Sequence, residues 1–355
     1  MTLTYRTRRR LQRGGFIAAI VAIILILGWI IAALWMERYV VFSREGASVN
    51  LSRPISEALG EPARRPQAQG SVSIYYNEGS DAIELTSELN PIVGYYISYD
   101  DLSKNMDKVL ENLKYLTSGT AVMIELKGGY GTFYYSSKLA EATPSASVPI
   151  EQVDRLINLL QSKGYYTIAR ISSLRDRMYG VEHVPQGLFM LSRAGLWMDP
   201  GGCYWLNPTD LNVQNWLISV INEVRNLGFN EVMLADFAFP NSDKYIFNDD
   251  KEAALLGCAV KIMEECQKDY FTVSFGVSSS AFNLPEGRNR MYLESVDPMS
   301  VQTIFSQVSF ENPEARLVFL GTTNDTRYNG YSVLRPLALA EEAENRRKEL
   351  ASMNQ

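Results

Sequence analysis

The sequence predicts an α/β fold, a (β/α)8 TIM-like barrel carried behind one transmembrane helix. Three observations predict it. From residue 90 onward, short apolar runs alternate with segments of helical periodicity, and short gaps between them imply parallel strands joined by right-handed crossovers. No glycine-rich phosphate loop follows the first strand, where a dinucleotide-binding sheet would carry one, and "GGYG" after the second lacks the full spacing. Near the N-terminus stands a long uncharged apolar run.

That run, "FIAAIVAIILILGWIIAALWM", covers residues 16–36. At ~1.5 Å per residue it makes roughly 30 Å of helix, enough to cross a bilayer's hydrocarbon core. Residues 1–15 hold Arg6, Arg8, Arg9, Arg10 and Arg13 and no acid, which places them in the cytoplasm. A cleaved signal peptide would have a shorter apolar core and a small-x-small site; "LWMERYVV" offers none. The expectation is a single-pass plasma-membrane protein, N-terminus inside, whose main domain is extracytoplasmic. Residues 37–89 read as a juxtamembrane region: a strand or hairpin over 38–51, a Pro- and Ala-rich linker over 53–71, and a short strand over 71–76.

The barrel domain is expected over 90–341. "PIVGYYIS" is a first strand, followed by one helix over 100–117, with Leu102, Met106, Val109 and Leu113 at helical spacing. "GTAVMIELK" is the second strand; a helix marked by Ile150, Val153, Leu156, Ile157 and Leu160 stops at Gly164. "YYTIARIS" is the third strand. Asn207 is the expected N-cap of the next helix, with Pro208 in its first turn and Gly228 closing it. "EVMLADF", "YFTVSFGVS" and "ARLVFLGTT" are the fourth, fifth and sixth strands. The count is two short at the C-terminal end. A complete barrel needs strands within "MYLESVDPMSVQTIFSQVSF" or near the termini; residues 342–355 form a polar tail at the end of a polar helix.

The whole chain carries −6, and its five N-terminal arginines carry +5, so the remainder stands at −11. That acidic body would repel phosphate backbones, which argues against nucleic acid as a partner. Three cysteines and one histidine make neither a disulfide framework nor a zinc site. Cys258 and Cys266 lie ~12 Å apart along one helix, too far to bridge. His183 reads as a solvated loop residue, and no metal or organic cofactor is expected.

In a parallel barrel the reactive groups gather where strands end at their C-termini. Asp236 interrupts an otherwise apolar run from Val232 to Ala238, and a buried carboxylate is costly unless paired or used. Glu125 and Lys127 alternate onto one face of the second strand, and Arg170 and Ser172 onto one face of the third. If those faces line the mouth, Glu125, Lys127, Arg170 and Asp236 converge. Tyr130, Phe133, Tyr134 and Tyr135 follow the second strand; Trp197, Tyr204, Trp205 and Asn207 follow the third. Aromatic faces beside carboxylates suit sugar rings, and a carboxylate pair is the equipment of glycoside hydrolysis. The alternative is two neutralised pairs, Asp236–Arg170 and Glu125–Lys127, plugging the barrel.

Three stretches carry a resemblance: "VMIELKGGYGTFYY", "YYTIARISSLRD" and "GLWMDPGGCYWLNPTDLNVQNWLISVINEVRNLGFNEVMLADFAFP". Together they resemble a bacterial glycoside-hydrolase-like family whose TIM-barrel domain often follows an N-terminal membrane anchor. The resemblance implies a carbohydrate substrate and Asp236 as nucleophile or base. The chain departs from the family pattern at four positions. Glu125 and Gly128 stand where the pattern has Asp, Ala238 where it has Arg after the strand-four acid, and Gly276 where strand five would carry Asp.

Two readings of function follow. In the first, Asp236 attacks or activates water and Glu125 donates the proton. Lys127, Arg170, Tyr130, Trp197, Tyr204, Trp205 and Asn207 hold a polysaccharide or cell-envelope glycan. In the second, the same groove binds glycan without cleaving it. A scaffold for envelope partners is a third.

Overall fold

A computed structural model describes residues 40–43, 46–49, 89–267, 271–277 and 280–353. The expected transmembrane helix at 16–36, the basic stretch 1–15, the linker 53–71 and the strand 71–76 lie outside them. Among the described residues no helix is long and apolar enough to cross a membrane. The chain divides into two units. In the first, Val40–Ser43 and Gly46–Val49 pair antiparallel, so of the strand or hairpin expected over 38–51 a hairpin forms.

The second unit is a closed barrel of eight parallel strands: β1 (Val93–Ile97), β2 (Ala121–Lys127), β3 (Tyr166–Ser172), β4 (Glu231–Ala235), β5 (Thr272–Val277), β6 (Met291–Glu294), β7 (Leu317–Leu320) and β8 (Ser332–Pro336). Each strand pairs with the next, and β8 pairs back onto β1. The two strands missing from the sequence count are β6, inside "MYLESV", and β8, near the C-terminus. Both are short, and β8 follows β7 without an α-helix between them. The run expected as sixth is therefore β7.

Helices pack outside: α1 (Tyr99–Lys104), α2 (Met106–Asn112), α3 (Ile150–Ser162), α4 (Arg177–Glu182), α5 (Leu211–Asn226), α6 (Lys251–Cys266), α7 (Val301–Gln307), α8 (Pro313–Arg316) and α9 (Ala340–Met353). The single helix expected over 100–117 is broken at Asn105, whose backbone leaves the helical region at φ −132°. Asp210, not Asn207, caps α5, accepting from Asn212 and Val213 N–H. Asn207 instead opens the turn before it, taking Thr209 N–H at 3.1 Å on its side chain; Pro208 sits in that turn and not in the helix. Gly164 (φ +69°) and Gly228 (φ +89°) end α3 and α5 in the left-handed conformation that glycine adopts most easily.

Two apolar layers result. The larger lies between strands and helices; the smaller fills the lumen with Met123, Ile168, Met233, Tyr292, Val318 and Leu334. Below it the lumen is closed by a polar floor. Glu231, fully buried, pairs with Arg290 and accepts from Tyr166 Oη (2.9 Å), Ser274 Oγ (2.7 Å) and Tyr292 Oη (2.8 Å). Arg290 also donates to the Ala315 and Asn90 carbonyls at 2.8 and 3.0 Å. A buried ion pair holds only with this degree of hydrogen bonding around it.

Candidate active site

The opposite end of the barrel, where the strands end, gathers the charge. Four side chains converge there from β2, β3, β4 and β6. Arg170 lies at the centre. Its Nη2 and Nε reach Glu294 Oε1 at 2.8 and 3.2 Å, and its Nη1 stands 3.4 Å from Glu125 Oε1. Burial opposes the charge on Arg170, but Glu294 and Glu125 outweigh it and hold its pKa above the ordinary value.

Glu125 is mostly buried, and its carboxyl is pushed above the usual carboxylate range. Burial is the main cause; Arg170 and the Tyr99 N–H, which donates to Oε2 at 3.2 Å, oppose it, while Glu294 and Asp236 add to it. Desolvation beside other negative charge is the combination that keeps a carboxylic acid protonated for donation.

Asp236 follows the last residue of β4 with φ +54°. Asp tolerates this left-handed conformation better than most residues, and it turns the side chain out of the strand's alternation. The Phe237 N–H then bonds to the Gly276 carbonyl at 3.1 Å. Asp236 Oδ2 lies 2.6 Å from Ser172 Oγ. It also acts electrostatically on Glu125, Arg170 and Arg175.

The neutralised pairs weighed from sequence do not form. Arg170 binds Glu125 and Glu294, and Lys127 binds Asp176 at 2.7 Å, each side chain 1% exposed. The expectation that Glu125 and Lys127 share a face fails because of a bulge: Glu125 pairs with Arg170 but Lys127 with Ile171. One extra residue turns Lys127 out of the lumen. There its ammonium bonds to the Ser172 carbonyl at 2.7 Å and lies over Phe133.

The aromatic residues divide. Tyr130 is exposed and lies under Arg177 (5.9 Å). Trp205, half-buried, donates to Asp199 Oδ2 at 3.1 Å, and Trp197 packs on Tyr245. Tyr204 is half-buried beside Gly180. Asn207 is occupied by its turn. A cavity of about 370 Å3 opens between the segment after β4 and that after β5, lined by Phe237, Phe239, Lys251, Leu255, Val277 and Phe282; Asp236 itself is not in its lining.

Sequence reasoning missed three groups. Glu294 was hidden with β6, although Arg290, Tyr292 and Glu294 alternate as a strand face that ends in an acid. Arg175 carries no periodic or spacing signal along the chain; its Nε bonds to Asp199 Oδ2 at 2.6 Å. Tyr134, by sequence part of an aromatic surface, is buried. Its hydroxyl stands where a side chain at Gly128 would begin, 2.2 Å from that Cβ position, while Glu125 Oε1 is 3.6 Å from it. Likewise the Met233 methyl fills the place of a side chain at Gly276. The places of two carboxylates that the resembled pattern carries and this chain lacks are thus filled by a phenol and a thioether. Among the described residues no group of three or more acids, cysteines or histidines has metal-binding geometry.

A family model described as "Putative glycosyl hydrolase domain" matches residues 94–277, more than half of the chain. Comparison with curated proteins finds no match. Among solved structures, a hypothetical protein from Ruminiclostridium thermocellum is 17% identical over 51% of this chain and 96% of its own, with a TM-score of 0.44. A variant glycoside hydrolase domain of PelA from Pseudomonas aeruginosa is 11% identical over 71% and 97%, with a TM-score of 0.43. An alpha-galactosidase from Thermus thermophilus is 14% identical over 53% of this chain and 38% of its own, with a TM-score of 0.40.

Proposed function

We propose that this chain, which belongs to the "Putative glycosyl hydrolase domain" family, hydrolyses glycosidic bonds of a polysaccharide outside the cytoplasm. One observation carries the reading. Glu125 and Asp236 reach the same barrel mouth from β2 and β4 in different environments, one desolvated between Arg170 and Glu294 and the other hydrogen-bonded to Ser172. Separated environments divide the acid and base roles. Glu125 protonates the leaving oxygen, and Asp236 attacks the anomeric carbon or activates water. Arg170 holds Glu125 and Glu294 in place from between them. Tyr130 and Trp205 supply aromatic faces for sugar rings.

The charge asymmetry around residues 16–36 supports an anchor in the plasma membrane with the barrel on its outer face. Protease treatment of intact cells tests this. Digestion of the barrel without lysis is the expected result, and full protection contradicts it.

The test of hydrolysis is release of new reducing ends from envelope polysaccharide by the purified full chain. Asp236→Asn abolishes release while leaving the melting temperature nearly unchanged. Retained activity removes Asp236 from the mechanism. The second reading, a glycan-binding barrel, is favoured by the phenol and thioether that stand in for two acids. It predicts binding that Trp205→Ala weakens, with no turnover by wild type.

A further inference from the structure

We propose that a notch in the barrel's outer wall, beside β8, binds a small molecule bearing a phosphate or sulfate group. The seventh strand–helix unit has no α-helix. Segment 321–331 joins β7 directly to β8, with only the 3-10 turn Thr326–Tyr328. Tyr328 takes part of the helix's place, fully buried near Phe319, its hydroxyl donating to the Val296 carbonyl at 2.8 Å. What remains is a cavity of about 320 Å3, lined by Tyr95, Asn324, Thr326, Asn329, Arg335 and Arg346.

Arg335 is the key group. Its neighbour Leu334 packs in the lumen, so strand alternation turns Arg335 outward, toward the notch. The guanidinium lies 5.7 Å from the Tyr328 ring centre. Its Nε is buried and has no hydrogen-bond partner, and among the described residues Arg335 makes no ion pair. Burial pulls its pKa down, with only Tyr95 and Tyr328 opposing. A buried Nε–H without an acceptor is costly in a folded protein, and an oxyanion matches the planar fork of the guanidinium that carries it.

The other lining groups are consistent with an anion. Arg346 adds a second cation from α9; its partner Glu342 is an exposed i,i+4 acid at 2.8 Å, a pair that separates at little cost. Asn324, Thr326 and Asn329 offer amide and hydroxyl donors, and no carboxylate lines the cavity. Glu344, which acts electrostatically on Tyr95, stands 3.6 Å from Lys348. The volume falls at the lower end of small-molecule pockets, with room for the anionic group and a short carrier. The notch lies on the helix side of the barrel wall, and its lining includes none of the residues assigned to the mouth.

The test is calorimetric titration of the full chain with inorganic phosphate, sulfate and glycerol 3-phosphate, at ionic strength fixed with sodium chloride. Saturable binding is expected, weakened at least tenfold by Arg335→Gln and at least threefold by Arg346→Gln. Because Arg346 is exposed, the second variant keeps the test decisive if the first fails to fold. Tighter binding of the ester than of free phosphate identifies a carried phosphate as the ligand; equal binding identifies the free ion. Absence of saturable binding overturns the proposal, as does affinity unchanged in both variants.

Discussion

Ser172 Oγ lies 2.6 Å from Asp236 Oδ2 and 2.8 Å from the Arg175 carbonyl. The hydroxyl has one proton for these two acceptors; donated to Asp236, the nearer and charged one, it ties the carboxylate after β4 to the end of β3. A hydrogen bond to a charged group contributes about 1.5–3 kcal/mol. Ser172→Ala is therefore expected to lower kcat about 10- to 100-fold with little change in KM, and Ser172→Thr to restore part of the loss. An unchanged kcat would show that the contact positions nothing.

Glu125 carries a stability cost that its acid role explains. Its folded pKa is raised, so its contribution is most favourable below the unfolded value and is lost as pH rises through the folded one. Glu125→Gln removes that loss. The variant is expected to melt at a higher temperature than wild type near neutral pH, with the difference shrinking as pH falls toward 4. Its kcat falls about 10²–10⁴-fold, the contribution of a general acid. Thermal melts and reducing-end assays on the same samples check both halves.

Arg170 opposes the upward displacement of the Glu125 carboxyl. Replacing it by Gln leaves Glu125 protonated to higher pH, so the alkaline limb of the pH–rate profile moves upward. The same change leaves Glu125 and Glu294 without their shared cation; Glu294 is 41% exposed, so solvent screens part of the loss and it stays below the cost of breaking a fully buried pair. A profile that does not move would detach Glu125 from that limb.

The floor of the lumen makes a separate prediction. Glu231→Gln leaves Arg290 buried and short of its counter-charge, at about 3–5 kcal/mol. Chemical denaturation is expected to show that loss, while KM measured below the lowered melting temperature stays near the wild-type value.

The three cysteines are buried and form no disulfide, and burial pushes the Cys258 thiol up to about 12. A thiol reagent at pH 8 is expected to label none of them in the native chain and all three after unfolding. Rapid labelling of native protein would place at least one thiol in solvent.

The long strands and amphipathic helices were legible because their periodicity is a local property. Six strands and the carboxylate on β4 follow from it. The four-residue β6 escaped because it ends in an acid inside a mixed polar stretch, whereas the equally short β7 is apolar throughout, and Glu294 was lost with it. The bulge in β2 was invisible for another reason: "IELK" alternates normally, and only pairing with β3 shows the extra residue that sends Lys127 to Asp176. Asn207 was misplaced because Asn-Pro opens a turn as readily as a helix, and Asp210 three residues later holds the stronger claim to the cap. The Met233–Gly276 and Tyr134–Gly128 exchanges are spatial complements between elements, with no signature along the chain.

The polar floor beneath the lumen also limits traffic. With Glu231 and Arg290 sealing one end, the barrel is a cul-de-sac. Whatever enters between Glu125 and Asp236 must leave by the same opening. A polymer cannot be threaded through the barrel's axis; it can only lie across the entrance or insert a terminus.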